Sequence, residues 1–257
     1  MVREDPDFLI PMFPSRHYAN YNILVINQTT EGRTLTSNHP SVRVINSFDK
    51  GLSKSRNLAL DNARGALCVI IDDDVVFREN FETHIIAAFT MNPAAALITF
   101  RAEKTPGVPY RKYPERTKSQ VSGLDVLGLM SIEMVLNREV INSGSFRFDE
   151  NFGLGATFGM GEEAVFAAQL KKAGRTIVME PKTIVGHAAV STHNTVSIQD
   201  KYFAQGGIFT AVFGDKYYKW LMIKLLFDLK QSQLKLKDVM KAVNAAKEGQ
   251  KAFIRSN

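Results

Sequence analysis

One cysteine, Cys68, stands among the 257 residues, so no disulfide can form within the chain. It lies inside the apolar run 67–71, where the role of a small buried hydrophobe is expected. A reducing, cytoplasmic setting is the simplest reading of that scarcity. No secretory signal opens the sequence, and no run reaches the roughly 18 to 20 apolar residues needed to span a bilayer. The expected protein is soluble or peripheral. Internal repeats and low-complexity segments are also missing. So are recognised nucleic-acid motifs and stacking platforms, which sets nucleic acid aside as a partner.

What is present permits one large domain with a sizeable core, because 45% of the residues are hydrophobic. The net charge of +6 is distributed unevenly. Residues 200–257 hold eleven Lys or Arg against five Asp or Glu, and the first 199 hold 21 of each. The whole excess therefore lies in the last segment. There Tyr218, Leu221, Met222, Leu225, Leu226 and Leu229 recur at helical spacing beside Lys219, Lys224 and Lys230, the pattern of a basic amphipathic helix. It suits either an anionic membrane surface or an apolar stripe packed on the main domain with lysines facing water. The division expected is 1–199 as the main domain and 200–257 as a basic helical tail.

Along the main domain, strand and helix alternate. Strands are expected at 21–27, 42–46, 67–71 and 94–100, with a long apolar stretch at 127–136. One helix should begin near Ser53 as its N-cap and close at Gly65, and another should carry Phe81, Ile85 and Phe89. This order predicts an α/β fold with a mostly parallel sheet flanked by helices, in which ligands gather beyond the carboxyl ends of the strands. The proline- and charge-rich segment 104–122 reads as a surface loop or covering flap.

Three groups of residues carry chemistry. Asp72, Asp73 and Asp74 sit where the 67–71 strand emerges, and ionised carboxylates there call for a counter-ion such as a divalent cation. The alternative is a solvated acidic turn capping the strand. A glycine-rich segment, Gly153-Leu154-Gly155-Ala156-Thr157-Phe158-Gly159-Met160-Gly161, runs into Glu162 and Glu163 and then a helix containing Phe166 and Leu170. Such glycines let the backbone approach a ligand closely. The two glutamates fall in a first helical turn, where the helix dipole tends to keep their pKa low and where simple capping is the alternative role. His187 follows the apolar run 183–186 and is either a cation ligand or a histidine with a satisfied hydrogen bond. The case for His193 is weaker.

Taken in order, these residues resemble the inverting family 2 glycosyltransferases of GT-A fold, over about residues 21–187. The family's Gly-x-x-x-x-Arg-Asn segment reads Gly51-Leu52-Ser53-Lys54-Ser55-Arg56-Asn57, preceded by Lys50. Its Asp-x-Asp reads Asp72-Asp73-Asp74, its Gly-x-Gly-Glu-Asp loop reads Gly159-Met160-Gly161-Glu162-Glu163, and its downstream histidine is His187. The resemblance implies a Rossmann-like GT-A domain that transfers a sugar from a nucleotide-diphosphate donor, most simply a UDP-sugar, to a hydroxyl of a glycan or lipid-linked acceptor. It implies Mn²⁺ or Mg²⁺ held by Asp74, His187 and Asp72. Donor contacts would come from Asn27, Gln28, Lys50, Arg56, Asn57, Asp72 and Asp73. Glu163 would be the base that takes the acceptor's proton, with Glu162 able to share that role.

Two departures stand out. The loop's second acid is Glu rather than the usual Asp, one methylene longer. The family's first nucleotide-binding strand is not found, and residues 1–14 read as the end of the helix that follows it. An alternative is therefore a relative that binds nucleotide or glycan without turnover. For the active reading, the expected place is the cytoplasm, peripheral at the inner face of the membrane, in surface polysaccharide or glycoconjugate synthesis.

Overall fold

A computed structural model describes residues 5–187 and 196–256; His193 lies outside them. A single helical turn, α1 (Leu9–Met12), precedes strands β1 (Ile23–Gln28) and β2 (Val42–Ser47). These two pair in parallel, Ile23 opposite Val42. Helix α2 (Leu52–Asn62) leads to β3 (Leu67–Val69), β4 (Val75–Phe77), α3 (Phe81–Met91), β5 (Ala95–Thr105) and the short β6 (Val108–Pro109). Then come α4 (Gly123–Leu127), β7 (Met134–Asn137), α5 (Arg138–Ser143), α6 (Glu162–Lys172) and β8 (Thr176–His187). Helices α7 (Ile198–Phe213), α8 (Tyr217–Lys230) and α9 (Val239–Ser256) complete the described chain. Among the described residues no strand precedes β1.

The central sheet runs β3-β7-β5-β8-β4, with β6 on β5. It is mixed rather than mostly parallel: β5 and β8 run together, whereas β3 and β5 both oppose β7, and β4 opposes β8. The reason lies in the connections. A parallel return needs a crossover, usually a full helix, and between β5 and β7 the chain has only the five-residue α4. It turns back instead.

Both faces of the sheet are covered. Phe81, Ile85 and Phe89 of α3 pack with Ile98, Val135 and Val178 in one cluster. Leu60, Ile141, Phe166 and Leu170 cover Leu97, Leu136 and Ile177 in the other. Successive strand residues point to opposite faces, which is why neighbours such as Val135 and Leu136 enter different cores. A third cluster joins Phe152, Phe158 and Val165 to Tyr202, Phe209, Leu221 and Ala246 of the last three helices.

Two expected boundaries move. Helix α2 is capped by Gly51, whose φ of 131° is a conformation that side-chain-bearing residues rarely adopt. Ser53, expected as the N-cap, is buried in the first turn and donates to the Phe152 carbonyl at 2.6 Å. The helix ends at Asn62 with Ala63 as its C-cap, ahead of Gly65.

Candidate active site

The expected strand 67–71 ends at Val69, and the three aspartates occupy the connection from β3 to β4. Pairing of β4 with β8 sets Val75 opposite His187. That register brings the preceding Asp74 to the histidine, Oδ2 to Nε2 at 2.9 Å, while Asp74 stays 53% exposed. The other ring nitrogen, Nδ1, lies 3.1 Å from the Tyr110 hydroxyl. Asp72 is exposed at the surface, yet the protein crowding around its carboxyl raises its pKa, and Asp74 and Asp73 push the same way; Arg56 and a hydrogen bond from Ser131, at 3.3 Å, oppose them. Asp73, between its neighbours, is half-buried.

Asp74 and His187 offer one carboxylate and one imidazole on a common spot, a donor set compatible with Mn²⁺ or Mg²⁺. Among the described residues no three His, Cys, Asp or Glu side chains converge as a complete cation cage. The fit is that of a two-ligand site, which leaves the remaining coordination positions to substrate oxygens and water.

The second half of the site is the start of α6. Gly161 is the N-cap, and Glu162 and Glu163 fall in the first turn, as the spacing predicts. Both reach one guanidinium nitrogen of Arg56, Glu162 at 2.9 Å and Glu163 at 3.2 Å; Arg56 and Glu162 are buried, and the Glu163 side chain keeps 15% of its surface exposed. The Arg56 guanidinium also lies over the Phe148 ring, 5.5 Å from its centre. The low pKa expected from the helix dipole is not what results. Burial, with the neighbouring Glu162 carboxylate, drives Glu163 up to about 7, against the pull of Arg56.

The glycine-rich segment packs against the helix that carries Arg56. Leu52 donates its backbone N–H to the Leu154 carbonyl at 3.1 Å, and Gly155 approaches Gly51. Gly153 has φ of 101°, and a Cβ there would meet the Glu162 carboxyl carbon at 3.2 Å. Any larger residue would press on the acid pair.

Several residues expected at a donor lie elsewhere or are otherwise engaged. Arg56 is committed to the two glutamates, and only its field reaches Asp72. Asn57 holds Phe148, accepting from its N–H at 2.8 Å and donating to its carbonyl at 2.9 Å. Asn27 is buried and donates to Asn46 at 2.9 Å, which in turn bonds both backbone groups of Leu35. Gln28 donates to the Gly51 carbonyl at 2.8 Å. Lys50 is exposed just before α2.

Sequence reasoning missed the anchoring of the 104–122 segment. It supplies Tyr110 to His187, and it seats Arg111 and Tyr113 on Glu133. Arg111 reaches that carboxylate at 2.6 and 3.2 Å, and the Tyr113 hydroxyl donates to it at 2.6 Å. Glu133 is fully buried, and burial raises its pKa despite those partners. The available signal was one charged residue inside the apolar stretch 127–136, since a buried carboxylate requires a partner. Backbone bonds between Lys118 and Met179 fix the far end. The segment is strapped down rather than loose.

The family model of glycosyl transferase family 2 matches residues 15–158. No curated protein sequence matches the chain. The crystal structure of S. aureus TarS 1–349 aligns with a TM-score of 0.57 at 17% identity, over 87% of this chain and 69% of that one. The same protein in complex with UDP aligns with a TM-score of 0.57 at 15% identity, covering 95% and 74%. In complex with UDP-GlcNAc it aligns with a TM-score of 0.55 at 16% identity, covering 87% and 70%. At such identities the likeness is one of fold.

Proposed function

The chain belongs to glycosyl transferase family 2, and from that membership we propose that it transfers a sugar, with inversion, from a UDP-sugar to a hydroxyl of a glycan or lipid-linked acceptor. The observation that carries the reading is Glu163. Its pKa of about 7 makes it a base poised near neutrality, because burial and Glu162 both disfavour its charge. In an inverting transfer the acceptor oxygen attacks the anomeric carbon from the face opposite the leaving diphosphate, and a carboxylate takes the hydroxyl proton. Glu163 is assigned that proton. Arg56 positions Glu163 and Glu162 and extends its field to Asp72, so the acid turn and the aspartate corner act as one electrostatic unit.

Asp74 and His187 would hold Mn²⁺ or Mg²⁺, with Asp72 close by to orient the donor. A bound divalent cation neutralises the departing diphosphate. UDP as the nucleotide of the donor is supported by the similar fold of S. aureus TarS 1–349, solved in complex with UDP and with UDP-GlcNAc. A lipid-linked acceptor in surface polysaccharide synthesis would be met at the inner face of a membrane; no described helix is long and apolar enough to cross one.

Thermal melting in the presence of ligand tests the assignment. A ligand at about 100 times its dissociation constant adds ~2.7 kcal/mol, or roughly 5 to 10 °C for a chain of this size. UDP with Mn²⁺ is expected to raise the melting temperature by that much, and Asp74→Ala to remove the gain while leaving the ligand-free melting unchanged. No shift with any nucleoside diphosphate plus Mn²⁺ or Mg²⁺ would overturn donor binding.

A further inference from the structure

Helix α8 is apolar on two opposite faces, and only one of them is covered. Tyr217, Leu221 and Leu225 are buried against the neighbouring helices. On the outer side Tyr218, Met222, Ile223, Leu226 and Phe227 are 44 to 61% exposed. At about 100° per residue, these five span the half-turn away from the core, and Lys219 and Lys230 fall near its middle. Both lysines are exposed; just before the helix, exposed Lys216 is offset by exposed Asp215. The one acid within α8, Asp228, is fully buried and bound by Lys201, Lys224 and Tyr202. No carboxylate of the helix therefore offsets the outer lysines.

We propose that this outer face of α8 is a docking surface for a bilayer rich in anionic phospholipid. The charge pattern selects the occupant. A soluble helix exposes its polar side, and a contiguous apolar face left bare marks an interaction site. A protein interface tends to exclude lysine from its centre. An interfacial helix instead sinks apolar and aromatic side chains to the headgroup boundary while its lysines extend to lipid phosphates. Tyr218, with an apolar ring and a polar tip, suits that boundary. The exposed Leu236 and Met240, with Lys235, Lys237 and Lys241 around them, continue the same chemistry beyond the helix.

This deepens the lipid-linked acceptor reading and rests on it for its purpose, but vesicle binding needs no donor, so its failure is distinct from failure of transfer. The test is co-sedimentation of the full chain with vesicles of phosphatidylglycerol and phosphatidylcholine, and with phosphatidylcholine alone. Binding is expected to the anionic vesicles and to weaken with salt. Each lysine near a charged surface is worth about fivefold, so Lys219→Glu with Lys230→Glu should weaken it by more than tenfold, and Met222→Ser with Leu226→Ser should do so too. All four positions are exposed, so circular dichroism melts of the variants should match wild type. Equal binding to both vesicle types, or unchanged binding by either double variant, would overturn the proposal. So would a lipid-free dimer that Leu226→Ser abolishes, which would assign the face to a second copy of the chain.

Discussion

Glu163 is asked to be both buried and ionised, and the two demands pull apart. Its folded pKa of about 7 lies above the ordinary 4.5, so the fold favours the protonated form. The contribution to stability is present below about pH 4.5 and is lost as pH rises through about 7, where the buried carboxylate must charge beside Glu162. Glu163→Gln should therefore melt higher than wild type at pH 8, by up to about 3 kcal/mol, and show little gain at pH 5. Transfer runs the other way, since the proposed base works only when ionised. Activity of the wild type should rise with pH to a plateau above about 7, and Glu163→Gln should lose roughly 10²- to 10⁴-fold while keeping UDP affinity. Paired melting and initial-rate profiles from pH 5 to 9 check both halves; a variant that transfers normally places the base elsewhere. The place of Glu163 in a first helical turn was legible in the sequence, because two acids after a glycine at a helix start is a local pattern. The sequence reading misjudged the pKa because the dipole argument leaves out the burial of the carboxyl by the folded chain, which raises the pKa first, and the repulsion of the adjacent Glu162, which adds to it.

At the scale of elements, the segment between β5 and β7 is clamped near its start by an ion pair to the buried Glu133. Arg111 and Tyr113 hold Glu133, and the Arg111 guanidinium lies over the Tyr113 ring, 4.4 Å from its centre. Tyr110, next in the chain, contacts His187. Removing Arg111 leaves a fully buried carboxylate without its counter-charge, a loss of about 3 kcal/mol in comparable cases. Burial already raises the Glu133 pKa, so protonation relieves part of that loss in acid, and the penalty grows as pH increases. Arg111→Ala should thus unfold at distinctly lower urea than wild type at pH 8, with the gap narrowing at pH 5. A gap independent of pH would mean that Glu133 does not change its protonation state over this range. Prolines and charges led the sequence reading to a loop here, because each of these residues resembles a surface residue until its distant partner is known. The strands 21–27, 42–46 and 94–100 were legible within a few residues because hydrophobic runs are local. Strand direction was not, since the absence of a crossover helix before β7 becomes visible only when the length of α4 is fixed.

For the whole molecule, the last three helices are tied closely to the part that carries the candidate site. Helix α7 packs directly behind the acid loop: a Cβ on Gly161 would run into Ile208, and one on Gly207 would lie 2.7 Å from the Phe158 ring. Helix α9 crosses α7 at glycines on both sides, where a Cβ on Gly249 would strike the Phe203 carbonyl and one on Gly206 the Ala246 carbonyl. The positive charge and helical spacing of residues 200–257 told of a basic amphipathic tail, but the glycine contacts that bind it to the site depend on a helix crossing no periodicity reports. We expect the two parts to unfold together. Gly249→Val forces the crossing apart, and overpacking of this kind costs about 1 to 3 kcal/mol, or roughly 3 to 10 °C in melting temperature. Because α7 backs the loop that carries Glu163, the same substitution should lower kcat more than it raises KM for the donor. Calorimetry should record one transition shifted downward. Two separate transitions, with the transfer rate unchanged, would mean that the helices are an independent unit and that the acid loop holds its geometry without them.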